Sequence, residues 1–247
     1  PHIACYCEYV LKYAKWDGSN WQVQIVDASG QTGWFPSIAL DNYGYPHISY
    51  THVETMDLKY ARWNGTIWQF ETIDTLGDTG WHTSIVLDTN NYPHISYYDY
   101  SNHLLRYACW DGTNWVVETV DTTEYAGQGQ TSMVLDKTGY PCIGYSSPAG
   151  IKYAYRDGAV WHTQIVDSLS ASGIDVSMAF DTLCHPHMSY STVYDTLKYA
   201  YWNSLNWQRE VVDSNVFIVL NPSIALDRNG SPHIAYYDWE NGDLKYA

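Results

Sequence analysis

The chain of 247 residues repeats itself along its whole length. A tripeptide of the type Pro-His-Ile returns every 45 to 48 residues. A period of this length indicates an array of supersecondary units, each of which buries its apolar face only against its neighbours. A residue that recurs in every unit is then expected to be scaffold, whereas a residue that breaks the pattern is a better candidate for function. The copies begin at Pro1, Pro46, Pro93, Pro141, Pro186 and Pro232.

Each unit contains four short segments rich in Ile, Val, Tyr and Trp, which suit a pleated and half-buried surface. Pairs such as Asp17-Gly18 and Asn64-Gly65 tolerate positive φ and predict tight hairpins between these segments. No window has the apolar period of a helix. The segments are therefore predicted to be antiparallel strands, which we name a to d. Examples of a, b, c and d are residues 37–41, 93–98, 58–61 and 68–74.

Four antiparallel strands repeated at this period predict an all-β fold, a six-bladed β-propeller of four-stranded antiparallel blades. The chain begins on strand b and ends on strand c, so the first and last blades are expected to be incomplete. We therefore expect residues 1–247 to be a single propeller domain, cut from a longer chain. The missing d and a strands would come from further sequence or from a neighbouring subunit, and open blade edges would allow self-association, since unpaired edges pair with other chains.

Composition restricts the partners. Asp and Glu number 27 against 12 Lys and Arg, and the net charge is −15. This charge argues against binding to nucleic acid, which needs basic patches, and against adhesion to anionic lipid. No apolar run is long enough to span a membrane, so membrane insertion is not expected.

The five cysteines do not recur between units, so no disulfide framework is predicted. Cys5 and Cys7 lie two apart on one strand and are expected to point to the same face, a poor geometry for a bond between them. No spacing matches a structural zinc site, and the recurrent histidines are too widely separated on a ring to share an ion. Neither a metal nor another cofactor is predicted.

Recurrent polar residues are assigned to the scaffold. The His of strand b is expected to bond between strands or blades, with the Ser of strand a as its candidate partner. The Lys of strand c is expected to pair with an Asp shortly before it. The Asp is two residues earlier in Asp57 and Lys59 and in Asp243 and Lys245, and three residues earlier in Asp195 and Lys198.

No catalytic motif stands out from the repeat. There is no Gly-x-Ser-x-Gly, no phosphate loop, no cluster of arginines and no singular pair of carboxylates. We therefore expect that the protein is not an enzyme.

Two Asn-x-Ser/Thr sequons fall in predicted turns, at Asn64 and Asn229, where a glycan could be attached. Together with acidity and aromatic-rich repeats, these sequons favour a secreted or cell-surface protein.

Aromatic residues in the variable loops are the candidate binding residues. The chain has 24 Tyr and 12 Trp against 4 Phe, and saccharides dock on exposed aromatic faces. The d-to-a and b-to-c connections are expected to lie on one face of the propeller, where variable loops on a rigid scaffold usually bind ligands. The candidates are Trp34, Phe35, Trp81, His82, Tyr125, Tyr100 and Trp239.

Two groups of propellers resemble this chain. The Ile-x-Tyr-Tyr of strand b, the Leu-Lys-Tyr-Ala of strand c and the Trp-Asp-Gly-x-x-Trp at 16–21 and 110–115 resemble propeller lectins of the fungal fucose-binding kind and their bacterial relatives. The Ala-Leu-Asp turns at 39–44 and 225–230 are similar to those of tandem-repeat propellers on microbial cell surfaces.

The lectin resemblance implies a carbohydrate ligand. Lectins of that kind place an Arg on strand b and a Glu on strand c, where this chain has its recurrent His and Lys. The resemblance therefore implies no fucose specificity and transfers no binding residue. We expect an extracellular, non-enzymatic recognition or adhesion module whose partners are glycans or cell-surface components. The alternative is a structural repeat subunit of a surface layer or extracellular filament, assembled by strand exchange between protomers.

Overall fold

The computed structural model describes residues 1–168, 175–192, 196–214 and 219–247. These residues form 22 strands in six antiparallel sheets, of which the first and last have three strands and the others four. The predicted six-bladed β-propeller with incomplete first and last blades is confirmed. None of the described residues belongs to a helix long and apolar enough to cross a membrane.

The chain divides into two compact units, Pro1–Val120 and Asp121–Ala247, and the boundary falls inside β11. That both units form a single domain stays a prediction. The first unit holds blade 1 with β1 (His2–Cys7), β2 (Val10–Trp16) and β3 (Trp21–Asp27), blade 2 with β4 (Thr32–Leu40), β5 (Pro46–His52), β6 (Leu58–Trp63) and β7 (Trp68–Asp74), and blade 3 with β8 (Trp81–Leu87), β9 (Pro93–Asp99), β10 (Leu104–Trp110) and β11 (Trp115–Asp121).

The second unit repeats this pattern. It holds blade 4 with β12 (Ser132–Leu135), β13 (Pro141–Ser147), β14 (Gly150–Asp157) and β15 (Val160–Asp167), blade 5 with β16 (Val176–Phe180), β17 (Pro186–Ser191), β18 (Leu197–Trp202) and β19 (Trp207–Asp213), and blade 6 with β20 (Val219–Leu226), β21 (Pro232–Asp238) and β22 (Asp243–Tyr246).

Within each unit the core lies between successive blades. Strand a of one blade packs against strand a of the next, as β4 does with β8 and β16 with β20. Alternate residues of strands b and c, such as Ile48 and Tyr50, are fully buried in the layer between two blades. The recurrent Ser of strand a adds a polar tie, because its hydroxyl accepts a hydrogen bond from a backbone N–H of the next strand a. Ser37 with Ile85 and Ser177 with Ile224 are examples.

A buried carboxylate connects each strand d to the following blade. Asp27, at the end of β3, accepts a hydrogen bond of 2.6 Å from the Tyr50 hydroxyl and one of 3.1 Å from the Lys59 ammonium. The equivalent aspartates bond to the equivalent Tyr and cation of the next blade, so this contact is part of the repeat. The other groups are Asp74 with Tyr97 and Arg106, Asp121 with Tyr145 and Lys152, Asp167 with Tyr190 and Lys198, and Asp213 with Tyr236 and Lys245.

The expected partner of the strand c Lys was therefore wrong. Lys59 pairs with Asp27 rather than with Asp57, because the side chain of a strand c residue extends across the interface to the preceding blade. The Asp57 carboxylate instead accepts a hydrogen bond from the Thr55 hydroxyl. Asp195 lies outside the described residues.

The recurrent His also has a different partner from the one suggested. Its Nδ1 bonds the hydroxyl of the strand c Tyr in the same blade, rather than the Ser of strand a. Cys142, which replaces this His in blade 4, likewise pairs with Tyr153. The pairs are His2 with Tyr13, His47 with Tyr60, His94 with Tyr107, His187 with Tyr199, and His233 with Tyr246. Cys5 and Cys7 share one face of β1 as expected, and their sulfurs are 2.7 Å apart as free thiols.

The inter-blade carboxylate predicts the effect of Tyr50→Phe. Removing the hydroxyl leaves Asp27 without one of its buried donors, which we expect to cost about 1.5–3 kcal/mol of unfolding free energy. Although burial opposes ionisation of Asp27, hydrogen bonds from Tyr50 and Ser29 hold its pKa below the ordinary value. The contact therefore stabilises the fold above about pH 4 and its contribution is lost at lower pH. Urea unfolding at pH 7 and pH 3 measures this, with the exposed Tyr43→Phe as control; equal stability of the two variants at pH 7 would contradict it.

The buried His47 predicts a second pH dependence. Burial lowers the pKa of His47 to about 4, whereas an unfolded His titrates near 6.5. The unfolded chain therefore binds more protons between these values, and stability falls as the pH drops from about 6.5 to 4. In His47→Cys, the residue that blade 4 uses, we expect this loss to shrink by about 1–3 kcal/mol. Denaturant midpoints measured across this range in reductant test the change, and an unchanged slope would show that His47 is not responsible.

Candidate functional site

A groove opens between blades 2 and 3 in the first unit. It has a volume of about 410 Å³ and is formed by strands c and d of blade 2, the a-to-b turns of both blades, and two tryptophans of blade 3. Its volume lies in the range of small-molecule sites. The residues that matter for its chemistry are Arg62, Asn64, Gln69, Glu71, Asn90, Asn91, Tyr92, Trp110 and Trp115.

The β6–β7 hairpin supplies the charged wall. Tyr60 pairs with Glu71 and Arg62 pairs with Gln69 in the antiparallel register. Residues two apart on a strand point to the same face, so these four side chains share one face of the hairpin. The Arg62 Nε donates to the Gln69 Oε1 at 3.0 Å. The two Nη groups of the exposed Arg62 make no hydrogen bond to any described residue and remain available to a ligand.

Blade 3 supplies the aromatic wall. The Trp115 Nε1 donates to the Glu71 Oε2 at 2.8 Å, which connects the two walls. The Trp115 ring packs edge-to-face on Tyr60 at 5.3 Å and on Trp110 at 5.9 Å between centroids. These contacts fix the tryptophans at one side of the groove and the carboxylate at the other.

Buried neutral groups form the inner end of the groove. The imidazole of His47 bonds the hydroxyl of Tyr60, and burial raises the pKa of Tyr60 while it lowers that of His47. The carboxylate of Asp41 accepts the backbone N–H groups of Tyr43 and Tyr45, and so holds the a-to-b turn. Besides His47 and Asp41, whose carboxylate is engaged by the turn, the acidic and basic side chains of the lining are Arg62 and Glu71.

The same geometry recurs in other blades with different side chains. The indole N–H of Trp68 donates to Gln24 at 3.4 Å, and that of Trp207 donates to Gln164 at 3.3 Å, in the manner of Trp115 and Glu71. The Glu71 position is occupied by Gln24, Glu118, Gln164 and Glu210, and the Arg62 position by Lys15, Cys109, Tyr155 and Tyr201. In this sequence blade 2 alone combines an arginine and a carboxylate at these two positions.

Five of the sequence-predicted binding residues come together elsewhere in the first unit. The Trp34 and Trp81 rings are 6.0 Å apart, Phe35 lies 4.3 Å from His82, and Tyr100 stacks on Trp81 at 5.0 Å. They converge because strands β4 and β8 each have an irregularity after Trp34 and Trp81.

The bulge places Phe35 at φ 48° and His82 at φ 53°, a region that side chains seldom adopt. Burial lowers the pKa of His82 to about 4. The rings of Trp34, Phe35 and Trp81 are half-buried against one another, and Tyr100 is exposed. This aromatic cluster is separate from the groove, and its role in binding stays a prediction.

The remaining predicted residues lie in the second unit. Tyr125 is half-buried in the turn after β11. Trp239 follows β21, is 58% exposed and packs edge-to-face on Tyr237 at 6.0 Å. Neither lines the groove. Among the described residues, no group of three or more His, Cys, Asp and Glu is placed to hold a metal ion.

Sequence reasoning missed Arg62, Glu71 and Trp115. The lectin resemblance places an Arg on strand b and a Glu on strand c, whereas in this structure Arg62 and Glu71 lie on strands c and d. The signal was present as variation at two positions of the repeated c–d hairpin. Finding it required the register, because Arg62 and Glu71 are nine residues apart in sequence.

Comparisons with known proteins agree on the architecture. No family model and no curated protein matches the chain. A fucose-specific lectin from Aleuria aurantia superposes with a TM-score of 0.67 at 12% identity, over 100% of this chain and 89% of the lectin. The protein AofleA from Arthrobotrys oligospora gives 0.64 at 13% identity, over 92% and 72%. The SapL1 lectin, solved with α-methyl fucoside, gives 0.65 at 12% identity, over 97% and 85%. At such identities the likeness concerns the fold, and it confirms the predicted resemblance to six-bladed propeller lectins.

Proposed function

We propose that this protein is a carbohydrate-recognition propeller that binds a saccharide in the groove between blades 2 and 3. The observation that carries the proposal is that Arg62, Glu71 and Trp115 line one groove, with Glu71 held by the Trp115 N–H. A sugar hydroxyl both donates and accepts, so a carboxylate beside a guanidinium with free Nη groups suits it. Aromatic rings suit the apolar C–H face of a pyranose.

The fold neighbours support the ligand class. Two of them are described as fucose-specific or were solved with a fucoside. Their likeness to this chain at low identity supports a lectin-like role without specifying the sugar. The net charge of −15 disfavours an anionic ligand, so we propose a neutral glycan.

The groove is proposed to bind without turnover. Glycoside hydrolysis uses a pair of carboxylates on either side of the scissile bond. Here Glu71 is engaged by the Trp115 N–H, and the other acid in the lining, Asp41, holds a turn through two backbone N–H groups. Such an arrangement orients hydroxyl groups but offers no second carboxylate for acid–base catalysis.

We further propose that recognition takes place outside the cell, as an adhesion or secreted module. The two sequons and the acidic surface support this placement. The alternative is a structural subunit of a surface layer or filament, which predicts polymers in solution and no affinity for saccharides. Size-exclusion chromatography followed by electron microscopy distinguishes the two.

Substitutions taken from other blades test the groove. Glu71→Gln introduces the residue that blades 1 and 4 have at this position, and Arg62→Tyr introduces the residue of blades 4 and 5. Both variants are therefore expected to fold. Each removes a charged hydrogen-bonding group, and we expect affinity to fall about 10- to 100-fold. A glycan array identifies the ligand, and titration calorimetry then measures the affinity of each variant for it. Glu240→Gln, at an exposed position outside the groove, serves as the control.

Two results would contradict this proposal. Loss of binding in the Trp34→Ala, Trp81→Ala double variant, with the groove variants unaffected, would move the site to the aromatic cluster. An array without any bound glycan, together with a measurable hydrolase or lyase activity on saccharides, would reject carbohydrate recognition itself.

The sequon at Asn64 generates another prediction, because Asn64 lines the groove. Its Oδ1 accepts hydrogen bonds from the backbone N–H groups of Thr66 and Ile67 at 2.9 Å, and its Nδ2 is the atom to which a glycan would be attached. A glycan there would cover the groove, so we expect protein glycosylated at Asn64 to lose binding until it is enzymatically deglycosylated. Asn229, the other sequon, lies in a blade 6 turn and serves as the matched control.

Intact-mass measurement on natively sourced protein shows whether either site is used. A mass equal to that of the bare chain counts against the modification and against the extracellular placement. Full binding by protein that carries a glycan on Asn64 would place the saccharide site elsewhere.

A further inference from the structure

Blade 5 breaks the repeat at two positions that touch each other. In blades 2 and 3 a tyrosine of the a-to-b turn covers the glycine of the c-to-d turn. A Cβ on Gly65 would lie 2.8 Å from the Tyr45 hydroxyl, and one on Gly112 would lie 3.0 Å from the Tyr92 hydroxyl. The tyrosine and a side chain in the turn therefore exclude each other. Blade 5 changes both, with His185 in place of the tyrosine and Ser204 in place of the glycine.

Ser204 retains the backbone conformation of the glycine that it replaces. Its φ is 76°, compared with 93° for Gly65 and 98° for Gly112. A non-glycine residue in this region is strained. Glycine would serve the turn better, so the serine is not explained by the stability of the fold. Strained residues of this kind are concentrated at functional sites.

Ser204, His185 and Asp181 form a chain of hydrogen bonds. The Ser204 Oγ is 2.8 Å from the His185 Nε2, and the His185 Nδ1 is 3.0 Å from the Asp181 Oδ2. A carboxylate can only accept, so Nδ1 carries the proton and Nε2 of the neutral imidazole accepts from the serine hydroxyl. This is the order of contacts in a serine nucleophile, its general base and the acid that orients the base.

Asp181 is held in place by the turn. Its Oδ1 accepts the backbone N–H groups of Leu183 and His185 at 2.8 Å each. Although burial opposes ionisation of Asp181, these backbone hydrogen bonds keep its pKa below the ordinary value. The aspartate is the recurrent turn residue of every strand a, so the scaffold supplies one member of the chain and blade 5 adds the other two.

A pocket adjoins the imidazole. It has a volume of about 270 Å³ and lies between blades 4 and 5, both in the second unit. Apart from His185 its lining has no charged or basic side chain. Tyr155, Trp202 and Trp207 provide aromatic walls, and Gln164 and Cys184 complete much of the rest. Such a lining suits an uncharged molecule with an aromatic or sugar-like part.

We infer that Ser204, His185 and Asp181 form an acyl-transfer site for small uncharged esters. The Ser204 hydroxyl gives its proton to the His185 Nε2 as its Oγ forms a bond to the carbonyl carbon. The bond from that carbon to the alcohol oxygen then breaks, and the alcohol takes the proton from His185. Water then gives a proton to the same imidazole as its oxygen attacks the acyl carbon. The bond from that carbon to the Ser204 Oγ breaks, the Oγ takes the proton back from His185, and the carboxylic acid leaves. Ester and water thus become acid and alcohol, with Asp181 as a positioning residue.

The oxyanion of the intermediate has one evident donor. The Ser204 N–H makes no hydrogen bond to any described residue, and the N–H of the nucleophile is one of two donors in the oxyanion hole of serine proteases. Losing one donor costs about 10²- to 10³-fold in rate. We therefore expect acylation to be detectable and turnover to be slow. The site is independent of the saccharide groove, and its confirmation would overturn the expectation that the protein is not an enzyme.

Covalent labelling tests the inference. The full chain is incubated with a fluorescent alkyl fluorophosphonate, and the adduct is located by peptide mass spectrometry. We expect one adduct per chain on Ser204. We also expect p-nitrophenyl acetate to give a burst of about one p-nitrophenolate per chain, followed by a slow phase.

Two variants provide the controls. His185→Tyr combined with Ser204→Gly restores the pair found in blades 2 and 3, so it is expected to fold and to show neither adduct nor burst. His185→Gln keeps the serine but removes the base, and its labelling rate should fall at least about 100-fold. Labelling of the unchanged chain no faster than that of the double variant, or an equal rate in His185→Gln, would overturn the inference.

Discussion

The hydrogen-bonded ion pair between strand d of one blade and strands b and c of the next is the contact on which the rest of this structure depends. The blades form separate sheets, so successive blades are joined by side chains and by a few backbone bonds between loops, such as Thr32 N–H with Tyr9 C=O and Thr79 N–H with Met56 C=O. Apolar packing between blades is not directional, whereas Asp27 with Tyr50 and Lys59 fixes both distance and orientation. Asp27 and Tyr50 are buried and Lys59 is half-buried, so each remaining member would be costly to leave unpaired. Repetition of this contact makes the spacing between blades regular.

Regular spacing has a functional consequence, because it produces grooves of one geometry whose side chains are free to vary. The indole N–H of strand d donates to a carboxylate or carboxamide of the preceding blade at three interfaces between blades. The scaffold thus holds a polar group and an aromatic ring at a set distance. What differs between grooves is the residue at the Arg62 position and the residue of the a-to-b turn. Blade 2 has a cation beside a carboxylate, while blade 5 has a histidine beside a serine. Two proposed chemistries therefore arise from different positions of one repeat: strands c and d in blade 2, and the a-to-b and c-to-d turns in blade 5.

Neutral polar groups buried between the strands make the stability of the scaffold depend on pH. Burial holds His47 and His82 uncharged well below the ordinary pKa of an imidazole. The hydroxyl of Tyr60 is likewise kept protonated by burial, and its ring also forms part of the groove wall through its contact with Trp115. Protonation of the histidine would thus affect the fold and the groove together, because the same pair of residues belongs to both.

The amino-acid sequence alone determined the architecture of this protein, since the period, the turn residues and the strand composition all indicate the same four-stranded unit. It also identified which residues belong to the scaffold. It placed the bond of His47 between strands but suggested another partner for it, and it gave Lys59 the wrong partner, because strand register and the packing of blades decide which side chains meet. Residue type and loop position make Trp34 and Trp81 candidate binding residues. Their rings do come together in the structure, but they do not line the groove. Arg62 with Glu71 and His185 with Ser204 became visible only in the tertiary structure, because strand register and turn packing decide which variable residues meet.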